Sequence, residues 1–90
     1  MEKIVKTVNY TVQRDVVYFY CPEAEDRQTE NATHSFLLQT LHLHGIEGRI
    51  NSFTCFCGCV RFERSHIAVA IEDCEKALNV LSYAGWSISD

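Results

Sequence analysis

Cys55, Cys57 and Cys59 lie in the run Thr54-Cys55-Phe56-Cys57-Gly58-Cys59-Val60-Arg61, which holds three of the five cysteines of a 90-residue chain. Thiols at this spacing could bind a soft metal ion, do redox chemistry, or serve as small apolar side chains on a strand. Geometry separates these options. Thiolates ~2.3 Å from a tetrahedral zinc stand about 3.8 Å from one another. Alternate residues on a strand are roughly 6.5 Å apart, and Cys55 and Cys59 would be about 13 Å apart. A regular strand therefore cannot wrap all three around one ion. Zinc requires a bulge at Gly58, or Cys57 and Cys59 gaining partners from His66 or from another chain. The spacing is Cys-x-Cys-x-Cys rather than the paired Cys-x-x-Cys of zinc knuckles. The expectation is no cofactor, with zinc on Cys55, Cys57, Cys59 and His66 as the alternative.

The other reactive side chains have plainer settings. Cys21 precedes Pro22, and Glu23, Glu25 and Asp26 follow at once and oppose thiolate formation. Cys74 falls on an apolar helical stripe. His42 and His44 are two apart on a helix, point about 200° from each other and cannot share an ion. No Gly-rich phosphate loop, His-Glu-x-x-His helix or nucleophile elbow is present. The sequence reads as non-enzymatic.

Twelve acidic against eight basic side chains give a net charge of −4, concentrated in Glu23, Glu25, Asp26 and Glu30 and again in Glu72, Asp73 and Glu75. That balance works against nucleic-acid binding, which needs a basic footprint, and suits a basic protein partner. The longest stretch without Asp, Glu, Lys or Arg, Asn31 to Ile46, carries Asn, Thr, Ser, Gln and three His, and Ile50 to Val60 carries Asn, Ser, Thr and Cys, so no segment reads as a membrane span. Glu2 and Lys3 open the chain with no apolar leader-like run after them. Five cysteines are an odd count at low density, expected of reduced thiols. A cytoplasmic address follows.

The elements that must position these residues fit one domain, residues 1–90. Ile4 to Val12 alternates with period two, a half-buried strand. Gln13-Arg14-Asp15 interrupts it, and Val16 to Cys21 is apolar or aromatic throughout, a strand that Pro22 ends. Thr29 or Asn31 caps a helix running to His44, and Gly45 can take the left-handed conformation that stops it. Leu81 to Trp86 repeats that punctuation, so a second helix ends at Gly85, with Cys74, Ala77, Leu78 and Leu81 on its buried stripe. Between them Ile50–Phe62 and Ile67–Ile71 read as a hairpin turning near Glu63-Arg64-Ser65; the alternation of β-branched residues with alanine favours a strand for Ile67–Ile71 over the first turns of a helix starting at Ser65, which periodicity alone leaves open. Trp86 to Ile88 closes the chain. On the first of these strands Phe53, Cys55, Cys57, Cys59 and Arg61 share one face, and Phe56, Val60 and Phe62 share the face expected to meet the helices.

The order predicts an α+β, ferredoxin-like two-layer sandwich: an antiparallel sheet of four to five strands, including an extra N-terminal strand, with two helices on one face. Val60-Arg61-Phe62-Glu63 followed by Glu72-Asp73-Cys74-Glu75-Lys76-Ala77-Leu78, with Val17-Tyr18-Phe19 upstream, resembles an RNA-recognition motif. The base-stacking positions hold Cys55, Cys57 and Cys59, and Tyr18 alone keeps the ring, so the resemblance implies the fold more than RNA binding. Gly45-Ile46 and the run Lys76-Ala77-Leu78 through Gly85-Trp86 resemble ACT-type regulatory domains, which implies pairing between copies and a small effector held at the interface.

These readings converge on a protein-interaction or regulatory module, in the form of an inhibitor or a homodimeric adaptor, acting through an open sheet face. Tyr18, Tyr20, Cys57 and Cys59 are the expected contact surface. A metal- or thiol-responsive module on Cys55, Cys57 and Cys59 and a small-ligand regulatory domain are the alternatives.

Overall fold

Two short turns organise the sheet. The computed structural model describes residues 4–89, so Glu2 and Lys3 lie outside the described residues. β1 (Thr7–Gln13) and β2 (Val16–Tyr20) form an antiparallel hairpin in which Gln13 faces Val16 across the two-residue turn Arg14-Asp15. α1 (Arg27–Leu43) follows, then β3 (Gly48–Cys57), β4 (Val60–Ala70), a 3-10 turn over Ile71–Asp73, α2 (Cys74–Tyr83) and β5 (Ser87–Ser89). The strands lie in the order β3-β4-β2-β1-β5.

The chain is α+β, one mixed five-stranded sheet with two helices. The all-antiparallel sheet expected from sequence is corrected, because β1 and β5 run parallel. β1 sits beside β2 as its hairpin partner, and the connection through α2 brings β5 back along the outer side of β1 in the same direction.

The sheet buries one face under both helices. Val8, Val17, Phe19, Ile67 and Val69 from the strands meet Leu37 and Leu41 of α1 and Ala77 and Leu81 of α2. Each large side chain so buried contributes about 1.5–3 kcal/mol. The shortest dimension of the molecule, 19 Å, is that of one sheet and one helical layer.

The helix ends are set locally. The Thr29 N–H donates to Asp26 Oδ1 at 2.6 Å, so Asp26 caps α1, three residues before the earliest expected cap. At the other end Gly45 takes φ 78° and the Ile46 N–H bonds back to the Leu41 carbonyl. Gly85 does the same at φ 93°, with Trp86 bonding to Leu81.

The hairpin between the helices turns elsewhere than expected. The chain reverses at Gly58-Cys59, with Cys57 opposite Val60, and β4 then continues unbroken through Glu63-Arg64-Ser65. Gly58 has φ 62°, which suits the first position of a two-residue turn. β4 pairs with β2 only from Ile67 to Ala70. The distal half of the β3–β4 hairpin therefore projects past the end of β2 as a two-stranded arm.

Candidate functional site

The two-residue turn decides what lies on the open face of the sheet. Counting back from Gly58-Cys59, Val60 pairs with Cys57, Phe62 with Cys55 and Arg64 with Phe53. Paired residues share a face, so Val60 and Phe62 join Phe53, Cys55 and Cys57. This corrects the placement of Val60 and Phe62 on the helix side. Phe56 does lie on the helix side, opposite Arg61, but it is 72% exposed and belongs to no core.

Tyr18 and Tyr20 alternate with the buried Val17 and Phe19 and so also face away from the helices. Together with Phe53, Cys55, Phe62 and His66 they line a groove of about 580 Å³. The His66 ring is held between Tyr18 at 4.4 Å and Phe53 at 5.0 Å, both tilted. Burial against those rings holds the His66 pKa below the ordinary histidine value. The neutral, flat side chain thus extends the aromatic floor.

Charge on this face differs in sign from that of the whole chain. By register the strands place Arg49 and Arg64 on the open side and no carboxylate, since Glu63 faces Thr54 on the helix side. Acids stand at the rims: Glu23 accepts a hydrogen bond from Thr7 at 3.1 Å, and Glu47, Glu72 and Asp73 surround the depression beyond Arg49.

Beneath the arm a buried polar network fixes Arg64. Glu30, 2% exposed, accepts from Arg64 Nε at 2.7 Å, from Arg27 Nη1 at 2.9 Å and from Ser65 Oγ at 3.0 Å. β2 has ended at this level, which lets Arg64 pass round the free edge of β4 to reach α1. Ser65 Oγ also lies 2.9 Å from His34 Nδ1. With its proton given to Glu30, the serine oxygen must accept there, so Nδ1 carries the hydrogen and Nε2 is a bare acceptor. That Nε2 is buried and has no hydrogen-bond partner among the described residues. Burial holds the His34 pKa below the ordinary histidine value, and against the opposing pull of Glu30 the ring stays neutral. Ser65, His34 and Glu30 are all buried, so the network offers no exposed nucleophile.

The residues expected from sequence are only partly brought together. Tyr18 and Tyr20 lie in the groove, and Cys55 lines it. Cys57 is on the same face but exposed at the arm's end, and Cys59 is in the turn rather than on a strand face. Cys55, Cys57, Cys59 and His66 form no ligand cluster; among the described residues no three His, Cys, Asp or Glu side chains are arranged to hold a metal ion. Cys21 is buried, and burial first, then the Glu30 carboxylate, pushes its thiol up to about 12. The sequence places Phe53 on this face together with Cys55 and Cys57, but it does not single out Phe62, Arg64 and His66 for it. The signal was Gly58, which as a turn residue reverses the assignment of every residue after it.

No helix among the described residues is long and apolar enough to cross a membrane. Comparison of the chain with family models, with curated proteins and with solved structures returns no match in any of the three.

Proposed function

We propose that the protein is a non-enzymatic interaction module that binds a segment of another protein on the open face of its sheet. The observation that carries this reading is the aromatic groove of Tyr18, Tyr20, Phe53, Phe62 and His66, edged by Arg64 and free of carboxylates on its strands. A contiguous half-exposed apolar surface of this kind marks a partner site, and tyrosine and arginine are the side chains that dominate binding energy.

The partner favoured by this chemistry brings an aromatic or aliphatic side chain for the groove and a carboxylate for the Nη nitrogens of Arg64, whose Nε is taken by Glu30. The sign is opposite to the basic partner that net charge suggests, because the acids sit at the rims and not on the face. The architecture behind the site is, in this proposal, a ferredoxin-like sandwich widened by insertion of β1 between β2 and the last strand.

Selection from a displayed peptide library, followed by mapping of the selected peptide on ¹⁵N-labelled protein, tests the proposal. Acidic-aromatic sequences should emerge, shift the amides of Tyr18, Tyr20, Phe53 and His66, and lose at least tenfold in affinity on Tyr20→Ala. Selection of basic peptides, or shifts confined to α1 and α2, would sink it. Binding of an oligonucleotide to the same face with a steep salt dependence would replace the peptide by nucleic acid.

A further inference from the structure

β3 is a terminal strand of the sheet, ten residues long, with β4 on one side and, among the described residues, no strand on the other. Its backbone polarity follows from the ladder. The Ile71 N–H bonds to the Asp15 carbonyl at 2.8 Å, continuing the register in which Val69 faces Val17. Odd-numbered residues of β4 therefore point their N–H and C=O at β2, and even-numbered ones point at β3. Arg49, Asn51, Phe53, Cys55 and Cys57 answer them. Ile50, Ser52, Thr54 and Phe56 direct their backbone groups outward from the sheet.

Such an edge is usually blunted by charge, proline or shortness. β5 is short, three residues. β3 has none of these protections from Ile50 to Cys57, a run with no charged residue and no proline. Ile50 and Phe53 are each 42% exposed.

We infer that β3 pairs with β3 of a second copy of this chain, antiparallel about a two-fold axis at Phe53, joining two sheets into one. The side chains select both the partner and the register. With the axis at Phe53, Ile50 of each copy faces Phe56 of the other on the helix side, and the two Phe53 rings meet on the open side. Ser52 faces Thr54, and Asn51 faces Cys55. Ile50 and Phe56 then lie in hydrogen-bonded pairs made by the outward backbone groups. Phe53 falls at a non-hydrogen-bonded pair, where side chains approach most closely. Sliding the copies by two residues sets Phe56 against Gly48 or Ser52 and Phe53 against Asn51 or Cys55, losing every apolar match. Only the Phe53-centred register is self-complementary on both faces, as an isologous interface requires.

The inference rests on the edge of the sheet and is independent of what the groove binds. It has a consequence there: the groove of each copy is lined by Phe53, so pairing sets the two grooves side by side across the axis.

Sedimentation equilibrium of the full chain and of two exposed-site variants tests the register. The unsubstituted chain should sediment at twice the chain mass. Ile50→Lys and Phe56→Glu should each sediment as monomers, because each self-pair sets two charges against apolar side chains. Their equimolar mixture should return to twice the chain mass, since one end then pairs Lys with Glu and the other keeps Phe56 on Ile50. Thr54→Pro removes an outward N–H without touching the β3–β4 ladder and should give a monomer with unchanged circular dichroism. A monomeric unsubstituted chain up to about 1 mM, a mixture that stays monomeric, or a dimer that survives Thr54→Pro with its fold intact would each overturn the inference.

Discussion

The Oγ of Ser65 lies 2.9 Å from Nδ1 of His34, and the serine proton is committed to Glu30, so His34 is held neutral beneath the arm with its second nitrogen bare. In the folded protein the His34 pKa is lowered from 6.5, first by burial. The unfolded chain therefore takes up a proton near pH 6.5 that the folded chain refuses, and stability falls as pH drops through 6.5 towards the lowered folded value. His66, also lowered, adds in the same direction. Urea denaturation at pH 7.5 and pH 5 should show an acid loss that shrinks in His34→Gln; equal losses in the two proteins would count against the burial of a neutral ring.

Removing opposite ends of the Glu30 network should cost different amounts. Glu30→Ala frees Arg27 and Arg64, whose side chains are 38% and 37% exposed and can be hydrated, and strands only Ser65 and His34. The expected loss is about 1–3 kcal/mol. Arg27→Ala with Arg64→Ala leaves a buried carboxylate without cationic partners, and that should cost about 3–5 kcal/mol. A double arginine variant no less stable than Glu30→Ala in denaturant titrations would refute this asymmetry.

What could be read from the sequence was whatever depends on near neighbours. The helix stops at Gly45 and Gly85 follow from leucine, glycine and apolar residue at fixed offsets, and the alternation of Val17 and Phe19 with Tyr18 and Tyr20 sets their faces. Ile67 to Ala70 forms a strand, as β-branched residues alternating with alanine suggest. Two features depended on distant choices. The place of β1 between β2 and β5 is decided by where the α2 connection returns, which no local pattern encodes. The groove depended on one turn: with Gly58-Cys59 read as part of a strand, Phe62 falls on the wrong face and the partnership of Phe53, Phe62 and His66 is invisible. Glu30, His34 and Ser65 look like ordinary polar residues until the fold brings α1 and β4 together.

The five thiols should separate by position. Cys57 and Cys59 are exposed at the end of the arm, Cys55 and Cys74 are half-buried, and Cys21 is buried with its thiol pushed up to about 12. A chromogenic disulfide reagent at neutral pH should titrate Cys57 and Cys59 first, and Cys21 only when the chain unfolds. Mass mapping of partly labelled protein reads the order directly, and early labelling of Cys21 would contradict the packing of β2 against α1.

The two hairpin turns share a backbone conformation but not a residue type, and that difference is measurable. Arg14 has φ 56° at the first position of its turn, where Gly58 has φ 62° in the other. A side chain in the left-handed region costs roughly 1–2 kcal/mol, which glycine avoids. Glycine gives part of this back through the entropy of the unfolded chain. Arg14→Gly should therefore stabilise the protein by about 0.5–1 kcal/mol. Gly58→Ala should do the reverse, and for backbone reasons alone, since a Cβ there meets nothing within 4 Å. Thermal melts of the two variants should move in opposite directions from the parent. Movement in the same direction would mean that the turns are held by something other than the φ of their first residue.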